Sequence, residues 1–177
     1  MDASRWVLLL RGINVGRASR VGMADLRELV TDLGFSDVVT VLQSGNVILS
    51  DSSRPVPAEV EAAITSRTGV SSRVVVLSLA EFEDIADANP LLEVSDDLSK
   101  MVVTFLDGDI VPDEVERPTE AELAPEILVA TSRAIYSWYP DGILQSKLSP
   151  KFWKQFGPVV TSRNVRTVDR IRAASRN

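Results

Sequence analysis

The chain has 177 residues, 45% hydrophobic and 25% charged, enough for one large domain or two small ones with buried cores. A formal net charge of −6 and a pI near 4.8 oppose the positive field that tight non-specific DNA binding requires. With neither cysteine nor histidine, the chain has no disulfide framework, no thiol nucleophile, no Ser-His-Asp triad and no zinc site of the usual kind.

No apolar run approaches the roughly 18 residues of a membrane span. The opening "MDASRWVLLLRG" is too short for a signal peptide and carries Asp2, so a cytoplasmic protein with no membrane partner is expected. General acid-base chemistry would fall to carboxylates, Lys or Tyr. No nucleophile or base can be named among them, so the sequence does not decide whether the protein is an enzyme, and no cofactor is assigned. "DGD" at 107–109 reads as a turn, and no metal site is expected. Charge is unevenly spread: 81–126 is acidic, with only Lys100 and Arg117 as bases, while 147–177 is basic, with Asp169 its only acid.

In chain order, Trp6 to Leu10 is a short apolar run that reads as a buried strand. Met23, Leu26, Val30 and Leu33 recur at helical spacing, and Gly34 closes that helix. Val38 to Gln43 reads as a strand, "SG" at 44–45 as a hairpin turn, and Asn46 to Ser50 as the next strand. Pro57 opens a helix with Val60, Ala63 and Ile64 on one face and Gly69 at its end. Arg73 to Leu77 is a fourth strand. The order β-α-β-β-α-β is the ferredoxin-like pattern. Its crossover makes strands one and two parallel. The segments 11–22, 43–46 and 69–73 should therefore meet at one sheet edge, bringing Arg11, Asn14, Ser44, Asn46 and Arg73 near one another. The N-terminus of the first helix points there as well.

The second half is less regular. Ser78 and Glu81 form a capping box for a helix over 79–88. Met101 to Leu106 is a strand, followed by an acidic, proline-punctuated stretch over 107–125. Ile127 to Ala130 and Ala134 to Tyr139 read as a hairpin across "TSR", the second strand alternating with period two. "SPKFWKQF" at 149–156 is a short helix with Ser149 as N-cap, and Asn164 to Ala174 a final helix with Val165, Val168 and Ile171 on one face. The fold class is thus α+β, with a ferredoxin-like subdomain over 1–78 and a second, imperfect plait over 79–177.

Three polar segments interrupt this frame. "RGINVG" is neither a Walker loop nor G-x-G-x-x-G. It offers Gly12 and Gly16, able to take positive φ, and Arg11, a planar donor for carboxylate or phosphate. The plain alternative is a solvated connection whose arginine pairs with an acid of the second half. "QSGN" reads first as a turn. "TSRN" at 161–164 has Ser162 or Asn164 as the cap of the last helix, while a ligand there would meet N–H groups and Arg163 together. Trp138, Tyr139, Phe152, Trp153 and Phe156 read as core or domain contact rather than a stacking platform.

"LLRGINVG", then M-x-x-L on the next helix, "GF-x-D-V", "QSGNV" and T-x-RN before a C-terminal helix resemble a bacterial domain-of-unknown-function family of about this length, the "RGINVG" proteins. The likeness runs from Trp6 through Val168. It implies two ferredoxin-like subdomains and no established activity. Carried over by position, its polar residues are Arg11, Gly12, Asn14 and Gly16, then Gln43, Ser44, Gly45 and Asn46, then Arg163 and Asn164, with Lys147 a further carry-over. This chain departs from the pattern at Arg17, Gly22 and Val165, where the family has glycine, proline and tryptophan.

The resulting expectation is a small anionic ligand, phosphate- or nucleotide-bearing, held in a cleft between the two halves. Arg11, Lys147 and Arg163 would supply charge. Asn14, Ser44, Asn46 and Asn164 would orient it, and Gly12, Gly16 and Gly45 would let backbone approach. Nucleic-acid binding along a sheet face and the basic tail is the alternative. A protein-interaction module with no ligand is the third reading. The oligomeric state is not legible.

Overall fold

In the computed structural model, which describes residues 4–15 and 19–176, the first strand of the chain sits inside a four-stranded sheet. β1 (Ser4–Arg11) is flanked by β3 (Asn46–Asp51) and β4 (Arg73–Ser78), with β2 (Ser36–Val41) outside β3. The order is β2-β3-β1-β4, and every neighbouring pair is antiparallel. β1 and β2 therefore run parallel, with β3 between them. α1 (Met23–Asp32) joins β1 to β2, and α2 (Pro57–Thr68) joins β3 to β4.

The apolar spacing of these helices does the packing. Leu26, Leu29 and Val30 of α1 and Val60 and Ile64 of α2 close on Leu8, Leu10, Val47, Leu49, Val74 and Val76 of the sheet. Gly69 takes φ 71° after α2, a left-handed stop that a β-carbon would resist. Leu33, expected on the core face of α1, is its C-cap and is exposed, while Leu29 takes the buried position.

A second sheet contains β5 (Met101–Leu106), β6 (Ile127–Ala130), β7 (Ala134–Trp138) and β8 (Val160–Asn164). Its order, β6-β7-β5-β8, repeats the first sheet's order shifted by four strands, and it too is antiparallel throughout. Its crossovers are thin. β5 reaches β6 through a 3-10 turn at 112–114 and the four-residue α4 (Glu120–Leu123). β7 reaches β8 through a 3-10 turn at 143–145 and the five-residue α5 (Pro150–Lys154). α3 (Leu79–Asp87) follows β4, and α6 (Val165–Ala174) follows β8. The chain is thus α+β. Its first compact unit holds the residues to Asp84 and those from Arg170 on, and the second holds 85–169.

Several elements differ from the sequence reading. β2 ends at Val41, so the hairpin has four loop residues rather than two. Leu42 and Gly45 both take positive φ there, 58° and 77°. β2 also begins earlier, at Ser36, and its pairing with β3 shifts between Ser36 and Val39, where Asp37 has φ 49°. "TSRN" is not a loop: it is most of β8, paired with β5 from Val102↔Asn164 to Leu106↔Val160. Ser162 does not cap α6; its hydroxyl pairs at 2.7 Å with Thr104 across the strands. β7 does not show one wet face, since 134–137 are all buried. The stretch 107–125 contains α4, opened by a capping box between Thr119 and Glu122.

Candidate functional site

Strand register builds the polar edge of the first unit. Arg11 stands opposite Arg73 and Leu9 opposite Asn46, so the end of β1, the β2–β3 hairpin and the start of β4 meet at one edge of the sheet. Ser72, buried before β4, donates to the Arg11 carbonyl at 2.9 Å and ties the third segment to the first. Arg11, Gly12, Asn14, Ser44, Gly45 and Asn46 are brought together here. Gly16 lies outside the described residues.

The loop after β1 is held from within. Ile13 and Val21 enter the helix-side core, anchoring both of its ends. Between them Asn14, at φ 56°, spends its whole amide on the backbone. Its Nδ2 donates to the Val21 carbonyl at 3.0 Å and the Gln43 carbonyl at 2.7 Å, and its Oδ1 accepts from the Val21 N–H at 2.9 Å. Asparagine suits both demands, because it tolerates left-handed φ and offers two donors with one acceptor. Asn14 is a staple that fastens the loop to the hairpin.

Asn46 and Gly45 are structural in the same sense. Asn46 is fully buried and donates to the Val41 carbonyl at 2.7 Å and to the Ser44 hydroxyl at 2.9 Å, closing the hairpin. A β-carbon on Gly45 would stand 2.6 Å from Ile13 Cδ1 and 2.8 Å from Leu10 Cβ. Gly12 is different: it also has positive φ, 75°, but nothing lies within 4 Å of where its β-carbon would be. Arg11, Gly12, Arg20, Gln43 and Ser44 are exposed. Arg73 is held by Glu61, at 2.9 Å, whose other oxygen accepts from the Val74 N–H.

The remaining expected residues belong to the second unit. Arg163 is 7% exposed, the fourth of the five residues of β8 and opposite Val103, and its Nη1 donates to Thr161 Oγ1 at 2.7 Å and to the Ser162 carbonyl at 2.9 Å. Burial pushes its guanidinium down to about 10, which leaves it protonated at neutral pH. Asn164 accepts from the Thr167 N–H at 2.9 Å and so caps α6. Lys147 is exposed; its Nζ donates to the Glu122 carbonyl at 3.3 Å and to the Ala124 carbonyl. It lines a groove of about 640 Å³ with Arg117, Lys151 and Lys154. The sequence reading did not single out those three, although the spacing of Lys147, Lys151 and Lys154 by four and three residues was a legible hint. Among the described residues, no cluster of three or more acidic side chains is placed to hold a metal ion. No helix among them is long and apolar enough to cross a membrane.

Two antiparallel four-stranded sheets with one strand order, each with a helix after its last strand, define an α+β protein of two like units. The profile of a family described as "Protein of unknown function (DUF1697)" matches residues 3–136, and the chain belongs to that family. Among solved structures it is similar to the conserved bacterial protein SP0830 from Streptococcus pneumoniae, with 25% identity and a TM-score of 0.66 over 99% of each chain. No curated protein matches it. The profile match ends before Lys147, Arg163 and Asn164.

Proposed function

We propose that this protein binds a small anionic ligand of the phosphate or nucleotide type at the edge of its first sheet. The observation that carries the reading is the pairing of an exposed Arg11 with Gly12, whose left-handed backbone stands open on the side where every other residue has a β-carbon. A planar guanidinium beside approachable backbone suits a tetrahedral or planar oxyanion. Ser44 adds an exposed hydroxyl from the hairpin. Asn14, Gly45 and Asn46 serve this site by fixing the loops rather than by touching the ligand. In the second unit Lys147 is exposed, whereas Arg163 is buried and Asn164 caps a helix. The shared strand order also supports reading each unit as a ferredoxin-like plait, complete in the first and pared down in the second.

A thermal-denaturation panel of inorganic phosphate, nucleotides, sugar phosphates, carboxylates and short oligonucleotides tests the proposal. A ligand at about 100 times its dissociation constant should stabilise by about 2.7 kcal/mol, a rise of roughly 5–10 °C at this length. The rise should appear with inorganic phosphate and small monophosphates and vanish in Arg11→Ala. A rise with these monophosphates untouched by Arg11→Ala, or one confined to oligonucleotides and steeply salt-dependent, would overturn it.

A further inference from the structure

The second unit carries a concentration of positive charge that the first-sheet site does not use. Arg117, Lys147, Lys151 and Lys154 surround one groove of about 640 Å³, against the single carboxylate of Glu116, in a chain whose net charge is −6. Arg117 is the one arginine of the acidic 81–126 segment, so the fold brings it from there to the lysines of the basic tail. The side chains of Arg117, Lys151 and Lys154 form no ion pair or hydrogen bond with the described residues. Four cations gathered against one carboxylate repel one another, a cost that a bound polyanion would reduce.

The groove is built rather than incidental. In the first unit the two crossovers carry helices of ten and twelve residues, but the corresponding crossovers of the second carry only α4 and α5. The groove occupies the room between the segments 116–118 and 147–155. Gln155 clamps its walls together: its Oε1 accepts from the Glu116 N–H at 3.0 Å, and its Nε2 donates to the Glu116 carbonyl at 3.0 Å and the Phe152 carbonyl at 2.8 Å. Lys147 is fixed by its own N–H donating to Glu126 Oε1 at 2.7 Å. Phe152, nearly buried and packed edge-on to Trp153 at 4.8 Å, supplies an apolar wall together with Pro118.

We infer that this groove is a second binding site, for a small oligophosphate such as a nucleoside di- or triphosphate. Its several phosphates sit over Arg117, Lys151 and Lys154, and its apolar portion lies against Phe152 and Pro118. The volume falls in the range of small-molecule sites, and four cations exceed what one monoanion needs. The acidic balance of the whole chain disfavours a nucleic-acid polymer.

Isothermal titration of the whole protein with inorganic tripolyphosphate, ATP and adenosine, without divalent cations, tests this. Tripolyphosphate and ATP should bind and adenosine should not. With the first-sheet arginine removed by Arg11→Ala, tripolyphosphate and ATP should still bind; adding Lys151→Glu/Lys154→Glu to that background should weaken both at least tenfold, whereas adding Lys151→Arg/Lys154→Arg should retain them. Both lysines are exposed, and a far-UV spectrum checks that the variants are folded. The inference is overturned if neither oligophosphate binds, if the charge reversal has no effect, or if an oligonucleotide binds more tightly than tripolyphosphate. Loss of binding in Arg11→Ala alone would assign the signal to the first-sheet site and equally overturn this one.

Discussion

Two glycines a short distance apart show how unlike the roles of one residue type can be. Gly45 and Gly12 share the left-handed region, but only Gly45 is packed against neighbours, with Leu10 Cβ and Ile13 closing on it. Gly45→Ala adds an overpacked methyl to backbone strain and should cost about 3 kcal/mol, read as a drop in urea midpoint. Gly12→Ala carries the strain alone and should cost about 1 kcal/mol. Equal costs would mean that packing at the hairpin is not what selects glycine there. Asn14 makes a separate prediction. Asn14→Ala deletes three side-chain bonds and a residue type tolerant of φ 56°, and should destabilise by about 2–3 kcal/mol. Arg11→Ala, at an exposed side chain, should leave the urea midpoint within about 0.5 kcal/mol of the parent. The residue that positions the loop and the residue proposed to meet ligand are thereby separable in one denaturation series.

Among the elements, α4 depends on its first residues. Hydrogen bonds from the backbone N–H and the hydroxyl of Thr119 hold the Glu122 carboxyl below the usual carboxylate range. A depressed acid stabilises at every pH above its unfolded value, and that contribution disappears as pH falls through the lower folded value. The turn 119–123 should therefore fray only in acid, below the ordinary titration range of glutamate, together with loss of amide protection at Glu122. Fraying that tracks an ordinary glutamate would disprove the coupling. β8 shows the opposite case, an element that no local signal announced. Its cross-strand hydroxyl pair, Thr104 with Ser162, and its buried Arg163 make strand structure from residues whose common place is a loop.

Across the whole molecule, alkaline stability is tied to the two tyrosines, which are the only ones in the chain. Burial raises both Tyr136 and Tyr139, and the Tyr136 hydroxyl donates to the Ile85 carbonyl at 2.7 Å. A raised acid favours its neutral form in the folded state. Its stabilisation is complete below the unfolded value near 10 and falls away as pH rises through the folded one. Melting temperature should decline above about pH 10, with phenolate absorbance appearing only as the protein unfolds. A phenolate signal at ordinary pH in folded protein would contradict this.

Sequence alone determined the parts that rest on local physics. The apolar runs at 6–10, 46–50, 73–77 and 101–106, the helical spacings at 23–33 and 57–68, and the stops at Gly34 and Gly69 each carry their own period or backbone demand, and each element formed where it was expected, with Leu33 alone off the core face. The edge shared by Arg11, Asn46 and Arg73 followed too, because antiparallel pairing around β1 leaves those ends nowhere else to go. What the tertiary structure decided was how each polar side chain is used. Asn14 and Asn46 looked like ligand groups and are loop staples, and Arg163, expected to offer its charge to a ligand at the start of the last helix, is buried in a strand. Arg117, Lys151 and Lys154, which the sequence does not mark as site residues, line one groove with Lys147. A side chain's hydrogen-bond partners and its desolvation depend on residues distant in sequence, and no period along the chain encodes them.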